Sequence, residues 1–250
     1  MSHHIVEVKD LEYTYPGGAE ALRGVSFRIE HGESVGIVGA NGAGKSTLLE
    51  HLNGYLVPTR GTVRIGDYPL TKETVQQVRR TVGMVFQDPD DQLFMPTVFE
   101  DVAFGPLNLG LPPDEVAARV ESALEAVGAS RLRDRHPYRL SGGEKRAVSI
   151  ATVLSMSPDI LVLDEPGAGL DPKSRRYLIQ LLQRFVHTKI VASHDLDFII
   201  EVCGRCIVIK DGRVAADGPA RIVLSDQTLL EDNNLELPLS LQNLAASPPS

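Results

Sequence analysis

The run Gly39-Ala40-Asn41-Gly42-Ala43-Gly44-Lys45-Ser46-Thr47 matches the phosphate-binding pattern G-x-x-x-x-G-K-[ST] without a gap. Ahead of it, Ser34-Val35-Gly36-Ile37-Val38 reads as a short buried strand; behind it, Leu48-Leu49-Glu50-His51-Leu52 opens a helix. In that setting the glycines let successive backbone N–H groups face one anion, and the helix N-terminus adds partial positive charge. Lys45 is placed to reach the β- and γ-phosphates of a nucleotide, and the Ser46 hydroxyl suits a Mg²⁺ site. A glycine-rich turn that binds nothing would leave the lysine, the hydroxyl and both flanking elements unexplained.

Upstream, residues 5–30 alternate as antiparallel strands do, with Ile5, Val6 and Val8 beginning one, Leu11 to Tyr15 a second, and Val25, Phe27 and Ile29 a third. Pro16-Gly17-Gly18 is a turn signal between them. Tyr13 and Tyr15 share a strand face; Tyr13 reads as packing, and Tyr15, nearer the phosphate loop, as either packing or a platform for a nucleobase. Downstream, Thr62-Val63-Arg64-Ile65 is expected to be a strand, Thr71 to Arg80 a polar helix, and Val82 to Phe86 an apolar strand ending on Gln87. From Val98 to Val127 the apolar spacing turns helical, with Pro112-Pro113 starting one helix and Gly128 ending it.

The α/β pattern resumes at Ile160-Leu161-Val162-Leu163-Asp164-Glu165, a central parallel strand closed by two carboxylates. Lys173 to Val186 reads as a helix, Lys189 to Ala192 as another strand, and Ser193-His194-Asp195 as its polar edge. Ligands of open α/β sheets gather at such edges. Leu140-Ser141-Gly142-Gly143-Glu144 opens one further helix. Ser141 and Glu144 alone satisfy a capping box. Gly142-Gly143 in a first helical turn has a cost unless some backbone or ligand must come close. Bare N–H groups there would make a second phosphate reader, more than one γ-phosphate needs from one chain, so it is expected to serve a neighbouring subunit.

The bulk properties narrow the class. The 250 residues are 42% hydrophobic and 23% charged, as in a globular protein with a proper core. A formal net charge of −8 argues against a general binder of nucleic acid or anionic membrane. No apolar run reaches the roughly 18 residues that span a bilayer. Met1-Ser2-His3-His4-Ile5 lacks the charged and apolar regions of a secretory signal, and His3 and His4 read as neither metal site nor tag. Cys203-Gly204-Arg205-Cys206 has redox or zinc spacing, but nothing completes a ligand set, so buried, inert thiols are expected.

The phosphate loop, Gln87, Leu140 to Glu144, Ile160 to Glu165, Gly169-Leu170-Asp171 and His194 stand in the order found in ATP-binding subunits of ABC transporters. The resemblance covers about residues 5–225. Val85 to Phe94 and Asp101 to Pro106 resemble more particularly the ATPases of cobalt/nickel and energy-coupling-factor (ECF) vitamin importers.

The resemblance implies two ATPase subunits, identical or different, that sandwich two ATP molecules head to tail. Each site would then combine Gly39, Asn41, Gly42, Ala43, Gly44, Lys45, Ser46 and Thr47 of one chain with Ser141, Gly142, Gly143 and Glu144 of the other. It implies Tyr15 on adenine, Ser46, Gln87 and Asp164 at Mg²⁺, Glu165 as general base, and Lys45 and His194 at the γ-phosphate. Phosphoryl transfer asks for such charge neutralisation and an oriented water. It also implies transmembrane subunits, one helix of which lies with an arginine in a groove beside Gln87. Asp88, Asp90 and Asp91, next to Leu93, Phe94 and Met95, would suit that helix, unless the aspartates merely cap a turn. Gly167 departs from the family, which often carries Thr there.

The resulting expectation is a P-loop NTPase (RecA-like) α/β core with an N-terminal antiparallel β-subdomain and an inserted α-helical subdomain. The core would span residues 1–87 and 158–225, the signature subdomain 88–157, and a partly disordered extension 226–250, with Ser247 to Ser250 disordered. The chain would bind ATP and Mg²⁺ and sit peripherally on the cytoplasmic face of the membrane. There it would drive uptake of cobalt, nickel or a vitamin, without a nucleic-acid partner. The rivals are a nucleic-acid-dependent soluble ABC ATPase and a catalytically weak heterodimer partner.

Overall fold

The computed structural model describes residues 6–242; His3, His4, Ile5 and Ser247 to Ser250 lie outside them. The chain begins β1 (Val6–Thr14), β2 (Glu20–Ile29), β3 (Ser34–Val38), α1 (Lys45–Leu52), β4 (Arg60–Ile65) and β5 (Tyr68–Pro69). It continues α2 (Val75–Thr81), β6 (Val82–Val85), α3 (Val98–Asn108), α4 (Pro113–Ala126), α5 (Gly142–Leu154) and β7 (Ile160–Asp164). After α6 (Pro172–Arg184), β8 (Thr188–Ala192) and α7 (Leu196–Val202) come β9 (Arg205–Lys210), β10 (Arg213–Pro219) and α8 (Ala220–Val223). Helices α9 (Gln227–Asp232) and α10 (Leu239–Gln242) complete the described residues.

A four-stranded antiparallel sheet has the order β2-β1-β4-β5, and a six-stranded sheet the order β10-β9-β3-β8-β7-β6. In the larger sheet β6, β7, β8, β3 and β9 run parallel, and β10 returns antiparallel. Alternating residues of β7 feed two cores. Ile160 and Val162 join the apolar faces of the small sheet and α1. Leu161 and Leu163 join Val102, Val120, Val148 and Phe198 from the helices on the other side. A strand buried on both faces reads as an unbroken apolar run.

Parallel strands deliver their C-terminal ends to one edge. The order β3-β8-β7-β6 therefore sets side by side the phosphate loop after β3, Ser193-His194 after β8, Asp164-Glu165 ending β7 and Gln87 after β6.

Two local expectations need correction. The two strands expected between residues 5 and 15 are the single β1, interrupted at Asp10 (φ 47°), whose amide donates to the Ser26 hydroxyl at 2.8 Å. The extra residue moves the inward positions from Val6 and Val8 to Leu11, so one strand reads as two. The helix expected from Thr71 starts only at Val75, because the Thr71 and Thr74 hydroxyls bond each other and nearby amides instead. The extension past residue 225 contains α9, held by a fully buried Leu230, and Leu235 and Leu237 pack on the helical core.

Candidate nucleotide site

The phosphate loop is shaped by close approaches. A Cβ on Gly39 would stand 2.2 Å from the Ile209 carbonyl oxygen, and one on Gly44 (φ 105°) 2.7 Å from that of Ala21. Only glycine fits either place. The Lys45 ammonium donates to the Gly39 and Ala40 carbonyls at 2.8 and 3.2 Å, holding the loop in an anion-ready curve. Burial pushes the Lys45 amine below its ordinary value, with Glu165 and Asp164 pulling it back.

Of the residues expected at the site, Tyr15, Gly39, Asn41, Gly42, Gly44, Lys45, Ser46, Thr47, Gln87, Glu165 and His194 line one open cavity of about 820 Å³. Ala43 is buried behind it and lines a neighbouring pocket. The Tyr15 ring stands edge-on to Tyr13 at 5.0 Å, and its hydroxyl hydrogen-bonds the Thr47 hydroxyl at 2.9 Å. Tyr13 packs in the core beside the His51 ring, 4.7 Å between centroids.

Asp164 faces an adjoining cavity shared with Ser46 and Gln87. Burial pushes its carboxyl above the usual value; the Ser46 hydroxyl, Lys45 and Arg146 lower it, and Glu165 raises it. Its Oδ1 is buried with no hydrogen-bond partner. A desolvated, unpartnered carboxylate oxygen beside a hydroxyl and an amide oxygen is a hard-oxygen donor set that fits Mg²⁺.

Glu165 adopts φ 45°, the left-handed region that non-glycine residues seldom occupy. Its amide donates to the Ala192 carbonyl at 2.9 Å. Its carboxylate accepts from the Ser193 hydroxyl and the His194 amide, each at 3.0 Å, and the His194 Nδ1 lies 2.8 Å away. The carboxylate is thus 7% exposed as a residue yet opens onto the nucleotide cavity. Ser193, buried, was legible in the sequence only as part of a polar strand edge.

Ser141, Gly143 and Glu144 are not brought to the phosphate loop. They line a separate cleft of about 380 Å³, and Gly142 stands open, with nothing within 4 Å of its would-be Cβ. The capping box is formed: Ser141 Oγ accepts from the Glu144 amide at 3.4 Å, and Glu144 Oε2 from the Ser141 amide at 3.1 Å. That amide first, then Arg131 and the Ser141 hydroxyl, hold the Glu144 carboxyl below its usual range.

Around Gln87 the sequence missed two residues. Arg146, 4% exposed, donates to the Phe86 and Gln87 carbonyls, and buried Asp101 accepts from the Phe94 and Met95 amides at 3.0 Å each. The three aspartates divide their work. Asp88 caps a turn by accepting from the Asp90 amide, Asp90 pairs with Lys145 at 2.5 Å, and Asp91 is exposed. Leu93, expected in an apolar docking strip, is buried in the core; Phe94 is 62% exposed and meets Phe104 edge-on at 5.0 Å. Gly167 faces Phe198 with ordinary room for a Cβ at 3.5 Å. Burial pushes the Cys203 and Cys206 thiols up to about 12, which leaves them inert.

A parallel sheet carrying this loop, acid pair and histidine at one edge defines a P-loop nucleotide hydrolase. The ABC transporter family matches residues 22–168, and the chain belongs to that family. It is an ATP-binding, ATP-hydrolysing ABC ATPase. It is 69% identical over 97% of its length, and 97% of the relative's, to a provisionally named ABC transporter ATP-binding protein of Geobacter sulfurreducens. It is 47% identical to the energy-coupling factor transporter ATP-binding protein EcfA of Methanocaldococcus jannaschii, over 94% of this chain and 86% of the relative. Among solved structures, CbiO1 of Clostridium perfringens, part of the ABC transporter complex cbiONQ, superposes with a TM-score of 0.82. That match is 38% identical and covers 97% of this chain and 99% of CbiO1. Among the described residues no helix is long and apolar enough to cross a membrane.

Proposed function

We propose that this chain works as one half of an ATPase pair that powers an importer of the ECF or cobalt-transporter kind. The observation that carries the pairing is the separation of the signature cleft from the phosphate loop within one chain. Two chains facing head to tail would complete both sites. The nucleotide-binding elements, residues 1–87 and 158–225, would then close against the partner's signature elements within 88–157.

In this reading the nucleobase stacks on Tyr15, the N–H groups of residues 39–47 and the Lys45 amine hold the phosphates, and His194 meets the γ-phosphate. Ser46, Asp164 and Gln87 would hold Mg²⁺, which when bound neutralises charge on the phosphates. Glu165, oriented by Ser193 and His194, accepts the proton of the attacking water. The donors around it keep one carboxylate oxygen in a fixed direction, which is what proton abstraction from a single positioned water asks for. An intact Glu165–His194 pair argues against a catalytically weak partner.

The seat for a membrane subunit would be the surface beside Gln87, where Asp88 and Asp91 line one cavity with it and exposed Phe94, paired with exposed Phe104, follows closely in sequence. The chain would lie peripherally on the cytoplasmic face, and the cargo would be cobalt, nickel or a vitamin chosen by the membrane subunits. Glu165→Gln tests the hydrolytic assignment: it should keep ATP binding, lower turnover by roughly 10²–10⁴-fold, and trap an ATP-dependent dimer visible by light scattering. Ser141→Arg in the same background should abolish that dimer while monomers still bind ATP. Parent-rate turnover by Glu165→Gln would refute the base, and a dimer formed by Ser141→Arg would refute the shared site. Co-purification of membrane subunits and their small-molecule cargo tests the importer reading.

A further inference from the structure

The nucleotide cavity has a wall that none of the site motifs supplies. Asn234 and Leu235, immediately after α9, line it together with Tyr15, the phosphate loop and His194. Asn234 also borders a smaller pocket of about 140 Å³, between Ala40 to Ala43 and Lys210-Asp211. It therefore stands at the tip of the phosphate loop, where two cavities meet.

The placement is built. Leu230 is fully buried, and the Leu235 amide donates back to its carbonyl at 2.8 Å. The Asn234 amide donates to the Glu231 carbonyl at 3.1 Å, and Asn234 turns the chain at φ 55°, a conformation that asparagine tolerates. Lys210 donates to the Asp232 carbonyl, tying α9 to the β9–β10 turn. That turn is in turn joined to the phosphate loop, because the Gly212 amide donates to the Ala43 carbonyl at 3.0 Å. Preceding Asn233 is 6% exposed; its Nδ2 donates to the Leu229 carbonyl at 2.6 Å, and its Oδ1 is buried without a partner beside the smaller pocket. Buried polar atoms left unpaired are rare, which singles this position out.

We infer that Asn234 and Leu235 are part of the nucleotide-binding site, with the Asn234 carboxamide donating to a phosphoryl oxygen held by the loop and Leu235 excluding water beside it. This rests on the ATP site proposed above. A neutral amide suits the position: it offers donors to an anion, whereas a carboxylate there would face the same charge as the phosphates. The route Asn234–α9–Lys210–Gly212–Ala43 then makes seating of the segment and filling of the loop mutually favourable.

Two substitutions fit the left-handed backbone and so separate recognition from folding. Asn234→Gly removes the amide; Asn234→Asp keeps the size and adds charge. Both should melt like the parent without nucleotide. In nucleotide titrations, Asn234→Gly should weaken ATP binding about threefold and Asn234→Asp at least about tenfold, the latter loss shrinking as salt rises. Amides of residues 229–235 should exchange more slowly when ATP is added to the parent. ATP affinities of both variants within about twofold of the parent, or exchange at 229–235 that ATP does not change, would overturn the inference. Lys45→Ala is the control for the site itself. A parent that binds ATP no better than Lys45→Ala overturns both the proposed site and this wall, whereas a parent that binds with unaffected Asn234 variants overturns the wall alone.

Discussion

Arg146 grips the Gln87 segment by its backbone: Nη2 donates to the Gln87 carbonyl oxygen at 2.6 Å, and Nη1 to that of Phe86 at 2.7 Å. Arg146 belongs to α5, the helix that begins with Ser141 to Glu144, and Gln87 follows β6 at the nucleotide cavity. A planar guanidinium fork in a buried place fixes both carbonyls at once. The signature helix and Gln87 are therefore mechanically joined within the chain.

Arg146→Met keeps the length of the side chain and removes the fork, leaving two carbonyls short of a donor at about 1–3 kcal/mol for each that stays dry. ATP affinity should stay within about threefold of the parent while kcat falls at least about tenfold, because Gln87 is no longer held. Arg146→Lys should lie between. Steady-state hydrolysis and nucleotide titration decide it; a parent-like kcat would show that Gln87 is placed without this arginine.

Ser193 is expected to act on the reaction through Glu165. Ser193→Ala removes one of the donors that orient the Glu165 carboxylate and leaves the His194 amide in place. Turnover should drop about three- to tenfold with KM nearly constant, and Ser193→Thr, which restores the hydroxyl, should recover most of it. A rise in KM without loss of kcat would instead assign Ser193 to nucleotide binding.

Much of this arrangement could be read from the residues, and the omissions have physical causes. The strand–loop–helix around Lys45 and the apolar run closing on Asp164-Glu165 declare themselves because their patterns are local. The capping box at Ser141 was equally local. Arg146 and Asp101 are different. Each acts on backbone atoms distant in sequence, Arg146 on residues 86–87 and Asp101 on residues 94–95. No spacing rule marks a side chain whose partner is a carbonyl or amide elsewhere. The bulge at Asp10 hid the continuity of β1 by shifting an alternation that otherwise has period 2. Asn234 carries no signal in the sequence, because its surroundings look like a loose tail in composition, whereas a buried leucine, Leu230, anchors them.

His51 gives the fold a pH dependence with a definite sign. The ring is fully buried, its Nδ1 donates to the Thr47 carbonyl at 2.7 Å, and the Val57 backbone also faces it. Burial pushes its pKa below the ordinary 6.5 despite the Thr47 and Val57 backbone groups, which pull it up. The unfolded chain therefore binds a proton that the folded chain resists, and the resulting stability is present above pH 6.5 and lost as pH falls towards the folded value. Asp101 and Glu50, pushed up by burial, act in the opposite sense, so a difference measurement is needed. The melting midpoint of the parent should fall more steeply from neutral to mildly acidic pH than that of His51→Gln. Parallel curves would remove His51 as the source.

The seat proposed for a membrane subunit can be tested at Asp91, because its two neighbours are already engaged. Asp88 caps the turn through the Asp90 amide, and Asp90 pairs with Lys145 on the signature helix. Asp90→Arg would disturb that helix as well as any partner. Asp91 is exposed and lines the cavity that also holds Gln87, close in sequence to Phe94. A carboxylate close in sequence to an exposed aromatic suits a partner helix with one basic and several apolar residues. Removing one member of a desolvated carboxylate–arginine pair costs about 2–5 kcal/mol, whereas an exposed pair contributes about 0–1 kcal/mol. Asp91→Arg should therefore weaken co-purification with the membrane subunits and stop uptake, while the isolated chain hydrolyses ATP at the parent rate. Phe94→Ala should weaken assembly in the same direction, by loss of apolar contact. Normal uptake by both variants would move the seat elsewhere on the surface, and loss of uptake together with basal hydrolysis would show that the turn is needed for the fold.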